Sequence, residues 1–178
     1  MKKIILTCGL IGGLISVAWC IFSEQVFSFS MSMDARLYLG YATMLIGFSL
    51  IFVAIKNYRD NYNNGVITFG KALKIGLLIT LVASTVYVVI WMIDFKFFIP
   101  DFFDKYKSLM LADLKAKGAS AAAIQKQLAD MDGYQQMYKN PIFVALLTYS
   151  EIVPVGIVVS LIAALILKRK SNPTTVNV

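Results

Sequence analysis

The sequence predicts an all-α integral membrane protein. It has four transmembrane helices and an extracytoplasmic amphipathic helical hairpin between the third and the fourth. Three observations predict this class. Hydrophobic residues make up 58% of the 178 positions and charged residues 15%, against about 45–50% and about 25% in soluble domains. Mean hydropathy is +0.71. The apolar residues also gather into four runs bounded by charges, each long enough to cross a hydrocarbon core of about 30 Å as a helix. This makes one membrane domain over residues 1–170 and a short polar tail over 171–178.

The first run, 4–23, lies between Lys3 and Glu24. Its start, MKKIILTCGL, is like that of a signal peptide. No small-residue cleavage site follows, however, and Trp19 stands before Cys20 where a lipoprotein signal needs a small residue. An uncleaved helix is expected. Cys8 and Cys20 sit twelve residues apart on it, about 18 Å along a helix and beyond disulfide reach. They are expected as buried thiols. Phe27, Phe29, Met31 and Met33 then alternate with serines. That is a strand period without a partner strand, so a short amphipathic turn is expected.

The second helix covers 37–55, between Arg36 and Lys56, with Asp34 as its expected N-cap. Residues 56–74 form a polar, aromatic and basic loop with a turn at Asn63-Asn64-Gly65. Tyr58, Tyr62 and Phe69 suit an interfacial belt. Thr68 is placed to cap the third helix, 72–94. Trp91 and Asp94 mark its far end.

The segment 94–140 is the one sizeable polar piece. Phe102, Phe103, Tyr106, Leu109, Met110 and Leu114 recur at three and four, the mark of an amphipathic helix. Gly118 supplies a stop and Ser120 a new cap. Ile124, Leu128, Met131, Tyr134 and Tyr138 then form a second stripe, so 101–139 is expected as a helical hairpin. Pro141 suits the first turn of the fourth span, 142–167, which stops at Lys168-Arg169-Lys170.

Net charge is +7, from 17 Lys+Arg and 10 Asp+Glu. The basic residues punctuate apolar runs instead of clustering with aromatics, which points to topology control and away from nucleic acid. Placing both termini in the cytoplasm puts nine basic residues inside, all close to helix ends. Eight fall outside, six of them within the hairpin segment 101–139. That orientation is expected.

Glu151 is the carboxylate inside the fourth span. Sixteen residues of helix separate it from Lys168, about 24 Å, so it is expected roughly 6 Å below the outer surface of the core. There it must be neutralised or tied to a partner, such as a tyrosine, a serine, Arg36 or Lys96. Pro154 removes a backbone donor and frees the Ser150 carbonyl beside it. Gly156 adds flexibility. These three form the candidate site, functional or structural. Gly76, Thr80 and Ser84 on the third helix, and Gly156, Ser160 and Ala164 on the fourth, repeat every fourth residue as helix-contact stripes.

Catalytic constellations find little support. The chain has no histidine, which removes the commonest general base and transition-metal ligand. There is no GxSxG and no pair of aspartates within a span, so no catalytic residue, metal or cofactor is expected. The carboxylates on 101–139 alternate with lysines, as on a solvated helix face.

The segments YRDNYNNGVITFGKALKIGLLIT, IPDFFDKY and YKNPIFVALLTYSEIVPVGIVVSLIAALILKRK resemble the bacterial "domain of unknown function 4199" family. The resemblance runs from about Ile4 to Lys170. It is most specific in the middle loop, in Tyr-Lys-Asn-Pro at 138–141 and in Glu-x-x-Pro-x-Gly at 151–156. It implies a four-helix, multi-pass protein of the bacterial inner membrane, and it implies no activity. The expected function is a non-enzymatic interaction or accessory component. Its partners would be the lipid bilayer, a membrane or envelope protein, or a second copy of the chain. The alternative is a small ion- or proton-coupled transporter or channel subunit that uses Glu151.

Overall fold

The computed structural model describes residues 1–26 and 32–170. The alternating Phe27–Met33 segment falls largely outside them, as does the 171–178 tail. The described chain is all-α, in six helices: α1 (Lys2–Val26), α2 (Met33–Tyr62), α3 (Phe69–Phe97), α4 (Phe102–Ala116), α5 (Ala121–Met137) and α6 (Pro141–Leu167). Three helices among the described residues are long and apolar enough to cross a membrane: Asp34–Tyr62, Phe69–Phe97 and Pro141–Leu167.

Local chemistry sets the ends of these helices. The Thr68 hydroxyl accepts from Lys71 N at 3.3 Å, and that of Ser120 from Ala123 N at 3.3 Å. Asn140 Oδ1 accepts from Ile142 N at 2.9 Å, one residue after Pro141 opens α6. Each cap satisfies a backbone donor that the first turn leaves open. Gly118, at φ +70, ends α4. It lets Ala119 N reach back to the Leu114 carbonyl at 2.9 Å, as a left-handed glycine cap does.

Two sequence expectations are corrected. The cap of α2 is Ser32, whose side chain accepts from Ala35 N; Asp34 lies in the first turn. Ser32 has the extended backbone that a cap requires, and a carboxylate one turn in still favours the positive helix end. The loop after α2 is also shorter than 56–74. Helix continues through KNYRDNY to Tyr62, and α3 starts at Phe69. No residue breaks the helix before Asn64 (φ 52) and Gly65 (φ 75), which turn the chain. Similarly, α3 runs past Asp94 to Phe97.

The four long helices form a bundle in which α1 and α6 each pack on both α2 and α3. Close approach is possible because small residues stand at the seams. A Cβ added at Gly12 would lie 2.8 Å from the Gly47 carbonyl oxygen, and one at Gly47 would meet Ser16 Oγ and the Gly12 carbonyl. Gly9 and Gly13 of α1 lie against Val82, Ala83 and Val86 of α3. The Gly76 position faces Ser160 at 2.8 Å, and Gly156 faces Thr80 and Phe48. Backbone approach of this kind is how helices associate in lipid, where burial of apolar surface from water contributes little.

The exterior carries the complementary pattern. Leu6, Leu10 and Leu14 of α1, Leu45 and Ile46 of α2, Leu81 of α3, and Leu146, Val158 and Ile166 of α6 are all exposed. Buried positions include Ser16, Thr80, Ser84, Thr148 and Ser160. An apolar outside around a core that admits hydroxyls suits a lipid surround.

At one end, the segment just after α6 meets the α2–α3 connection. Ile67 and Arg169 exchange backbone hydrogen bonds at 2.9 and 2.8 Å. Arg59 binds Asp60 at 2.6 Å and donates to the Leu167 carbonyl at 3.3 Å. The opposite end holds α4 and α5.

The seams make a direct prediction. Gly156→Leu forces a side chain into Thr80 and Phe48, and overpacking of this kind costs about 1–3 kcal/mol. Thermal unfolding in detergent should register it. Gly133→Ala has nothing within 4 Å and sits in a helix. It should be neutral or stabilise by about 0.5–1 kcal/mol.

Candidate functional site: a charged cavity beneath α4 and α5

Side chains at the seam end of α3 and α6 are glycine, serine and threonine. Further along they become tyrosine, tryptophan and phenylalanine, and the bundle no longer closes on itself. A cavity of about 630 Å³ opens there, within the range of small-molecule sites. All of the helices except α1 contribute to its lining, and the wall is largely aromatic. Glu151 lines it from α6, Arg36 and Asp34 from the start of α2, and Tyr87 and Trp91 from α3.

The Tyr149 hydroxyl donates to Thr85 Oγ1 at 2.9 Å, and Gly156 abuts Thr80 and Phe48. Glu151 is therefore level with residues close to Thr85 on α3 and with Met44 on α2, inside both apolar runs.

Among the described residues, no hydrogen bond or ion pair reaches the Glu151 carboxylate. The expected ties to Arg36 or Lys96 are not formed. Arg36 lines the same cavity and makes an interaction of its own. Lys96 lies over the Phe97 ring at 5.5 Å. Pro154 sits within a helix that continues on both sides. The Ser150 hydroxyl, one residue before Glu151, donates to the Leu147 carbonyl at 2.6 Å. Asp94, at the end of α3, is buried away from this wall.

The two packing stripes meet each other. Thr80 Oγ1 and Ser160 Oγ are 3.2 Å apart, and Ser160 Oγ donates to the Gly156 carbonyl at 2.7 Å. A hydroxyl has one proton, so Thr80 is the donor in the pair. Ser84 and Ala164 are fully buried. Gly156 thus has its contacts in the seam, a turn and more away from the Glu151 carboxylate.

Sequence reasoning did not find the cavity, although it had found the aromatic stripe that walls it. Trp91 meets Phe102 edge-on at 5.6 Å, Phe103 meets Tyr138 at 5.1 Å, and Phe95 meets Tyr138 at 5.2 Å. Phe102 stacks on Tyr106 at 5.6 Å. Such pairs contribute about 0.5–1.5 kcal/mol each beyond burial. Together they bind the start of α4 and the end of α5 to the top of α3.

Ion pairs complete the attachment. Lys107 Nζ reaches Asp132 at 2.6 Å and Gln135 at 2.7 Å, joining α4 to α5. Lys117 Nζ reaches Asp34 at 3.2 Å and Asp113 at 2.9 Å, joining the end of α4 to the start of α2. Hydrogen bonds to these two carboxylates, Asp113 first, hold the Lys117 ammonium above its usual pKa.

The Tyr138 phenol is pushed up to about 12, chiefly by burial and then by the Glu151 carboxylate and the neighbouring Tyr106 and Tyr134. Tyr106 is raised by burial and by Glu151, and lowered by Arg36. The field of the Glu151 carboxylate therefore reaches both phenols, and Tyr106 also feels Arg36. The folded protein holds the Tyr138 proton longer than the unfolded chain, whose phenol titrates at about 10. Stability from this group is present below that pH and is lost as pH rises towards the folded value. Ultraviolet titration near 295 nm should show a late-ionising tyrosine that disappears in Tyr138→Phe. The alkaline fall in stability should shrink with it.

No curated protein matches the sequence, and no solved structure does. A family model described as "Protein of unknown function (DUF4199)" matches residues 7–169. That span takes in every residue of the cavity and of the helix seams, and the chain belongs to this family.

Proposed function

We propose that the chain is a four-span protein of the bacterial inner membrane with both termini in the cytoplasm. In this reading α1, α2, α3 and α6 span, and α4 and α5 form a hairpin on the outer side. Its role is that of a non-enzymatic accessory component whose α4–α5 end meets a membrane or envelope protein. One observation carries this reading: α5 has no buried residue and shows Met137 to its surroundings, yet α4 beneath it is pinned to the bundle by rings and ion pairs. A helix held in place but left open on its outer side is placed to present a surface. The 25-residue α1 packs against two apolar helices and shows leucines outward, which supports the fourth span.

A second reading has its own observation. Glu151 lies within the apolar part of the bundle and faces a cavity. A carboxylate there is the usual mark of an ion or proton path. On four helices, such a carrier would be completed by a second copy of the chain.

Three experiments test these readings. A topology reporter inserted after Gly118 should be active outside the cytoplasmic membrane, and a cytoplasmic result overturns the orientation. A photo-crosslinker at Lys115 or Lys126, both exposed, should capture a defined protein in intact cells. If neither position captures one, the accessory reading fails. A Glu151→Gln variant that folds normally but loses an ion- or proton-linked phenotype would favour the carrier instead.

A further inference from the structure

Three charged residues line the cavity, and their charges are answered differently. Asp34 pairs with Lys117 at 3.2 Å. Arg36 makes an interaction of its own. Glu151 has neither a hydrogen bond nor an ion pair among the described residues, and it is exposed where it lines the cavity. Its surroundings are rings. Eight of the seventeen lining residues are aromatic, Tyr106 and Tyr138 among them. Trp91 and Phe103 extend the same wall.

A carboxylate without a partner in a cavity walled by aromatic rings suits one chemistry. Ring faces attract cations, and most strongly weakly hydrated ones such as alkylated ammonium groups. A small metal ion needs several oxygen ligands, and no cluster of three or more His, Cys, Asp or Glu occurs among the described residues. The volume, about 630 Å³, holds a head group and part of a chain, far more than a bare ion.

We propose that this cavity binds an organic ammonium group, with Glu151 as counter-ion and Trp91, Tyr106 and Tyr138 as the ring wall. The site rests on α4 and α5 closing that end of the bundle, and not on which protein they meet. The ammonium can be carried by a lipid-type amphiphile or by a small solute in water.

The test uses the full chain purified in a non-ionic detergent, so that no partner protein enters. The chain has two tryptophans, Trp19 and Trp91, and a Trp19→Phe background leaves Trp91 as the reporter. Choline and dodecyltrimethylammonium are titrated against their uncharged counterparts, 3,3-dimethylbutanol and dodecanol. The expected result is a saturable change in Trp91 emission with an ammonium probe, at least about tenfold tighter than with its neutral counterpart. Glu151→Gln should erase that preference while leaving helix content and melting in place. Saturation by choline assigns a water-borne ammonium, and saturation by dodecyltrimethylammonium alone assigns an amphiphile; either supports the site. Equal response to charged and neutral probes overturns it, as does no response to either ammonium, or an unchanged preference in a folded Glu151→Gln protein. If that variant does not fold, the charged-against-neutral comparison on the Glu151 protein decides alone. Failure here leaves the crosslinking result at Lys115 untouched, so the two claims fall separately.

Discussion

The bundle depends on backbones lying close together at a few small residues. Gly12 meets Gly47 and Ser16 between α1 and α2, and Gly76 meets Ser160 between α3 and α6. Gly156 meets Thr80 and Phe48 where α2, α3 and α6 converge. Among apolar neighbours, association draws on dispersion and on hydrogen bonds between helices, and both decline within an ångström or so of added separation. The hydroxyls at these seams do not oppose the approach. Ser16 donates to the Gly12 carbonyl at 2.8 Å and Ser160 to the Gly156 carbonyl at 2.7 Å. Each returns to its own helix, and so enters the core with its proton already engaged.

This contact sets the register of everything above it. With Gly76 held against Ser160, Tyr149 falls beside Thr85 and Glu151 beside the aromatic end of α3. Small side chains give way to large ones along the same two helices, so the seam that closes at one end leaves a cavity at the other. Rings from α3, α4 and the α5–α6 junction then meet edge to face and close it over. The Lys117 to Asp34 pair reaches the far edge of that cover. It is an exposed pair of modest strength, so the rings carry most of the attachment.

Much of this could be read from residues in order. Thr68, Gly118 and Ser120 act where their chemistry places them, because a cap or a left-handed glycine is a local event. The α2 cap was misassigned for a related reason. Ser32 and Asp34 are both good caps in isolation, and the backbone conformation at residue 32 selects between them. The length of α2 was underestimated because hydropathy marks the apolar run and not the helix: KNYRDNY is polar but has nothing to stop a helix. The Ile67–Arg169 pairing had no signal at all, since it joins positions about a hundred residues apart.

The candidate site divides in the same way. Sequence alone is enough to pick out Glu151 as a carboxylate in an apolar run, and Gly76, Thr80, Gly156 and Ser160 as contact residues, because periodicity and composition are properties of one helix. It is also enough for the all-α class and for the family. Two things came only from the folded chain: the lack of a partner on the Glu151 carboxylate, and the presence of Trp91, Tyr106 and Tyr138 on the same cavity. Each is a relation between helices. The stagger that sets it arises from which small residues meet, and no single segment carries that information.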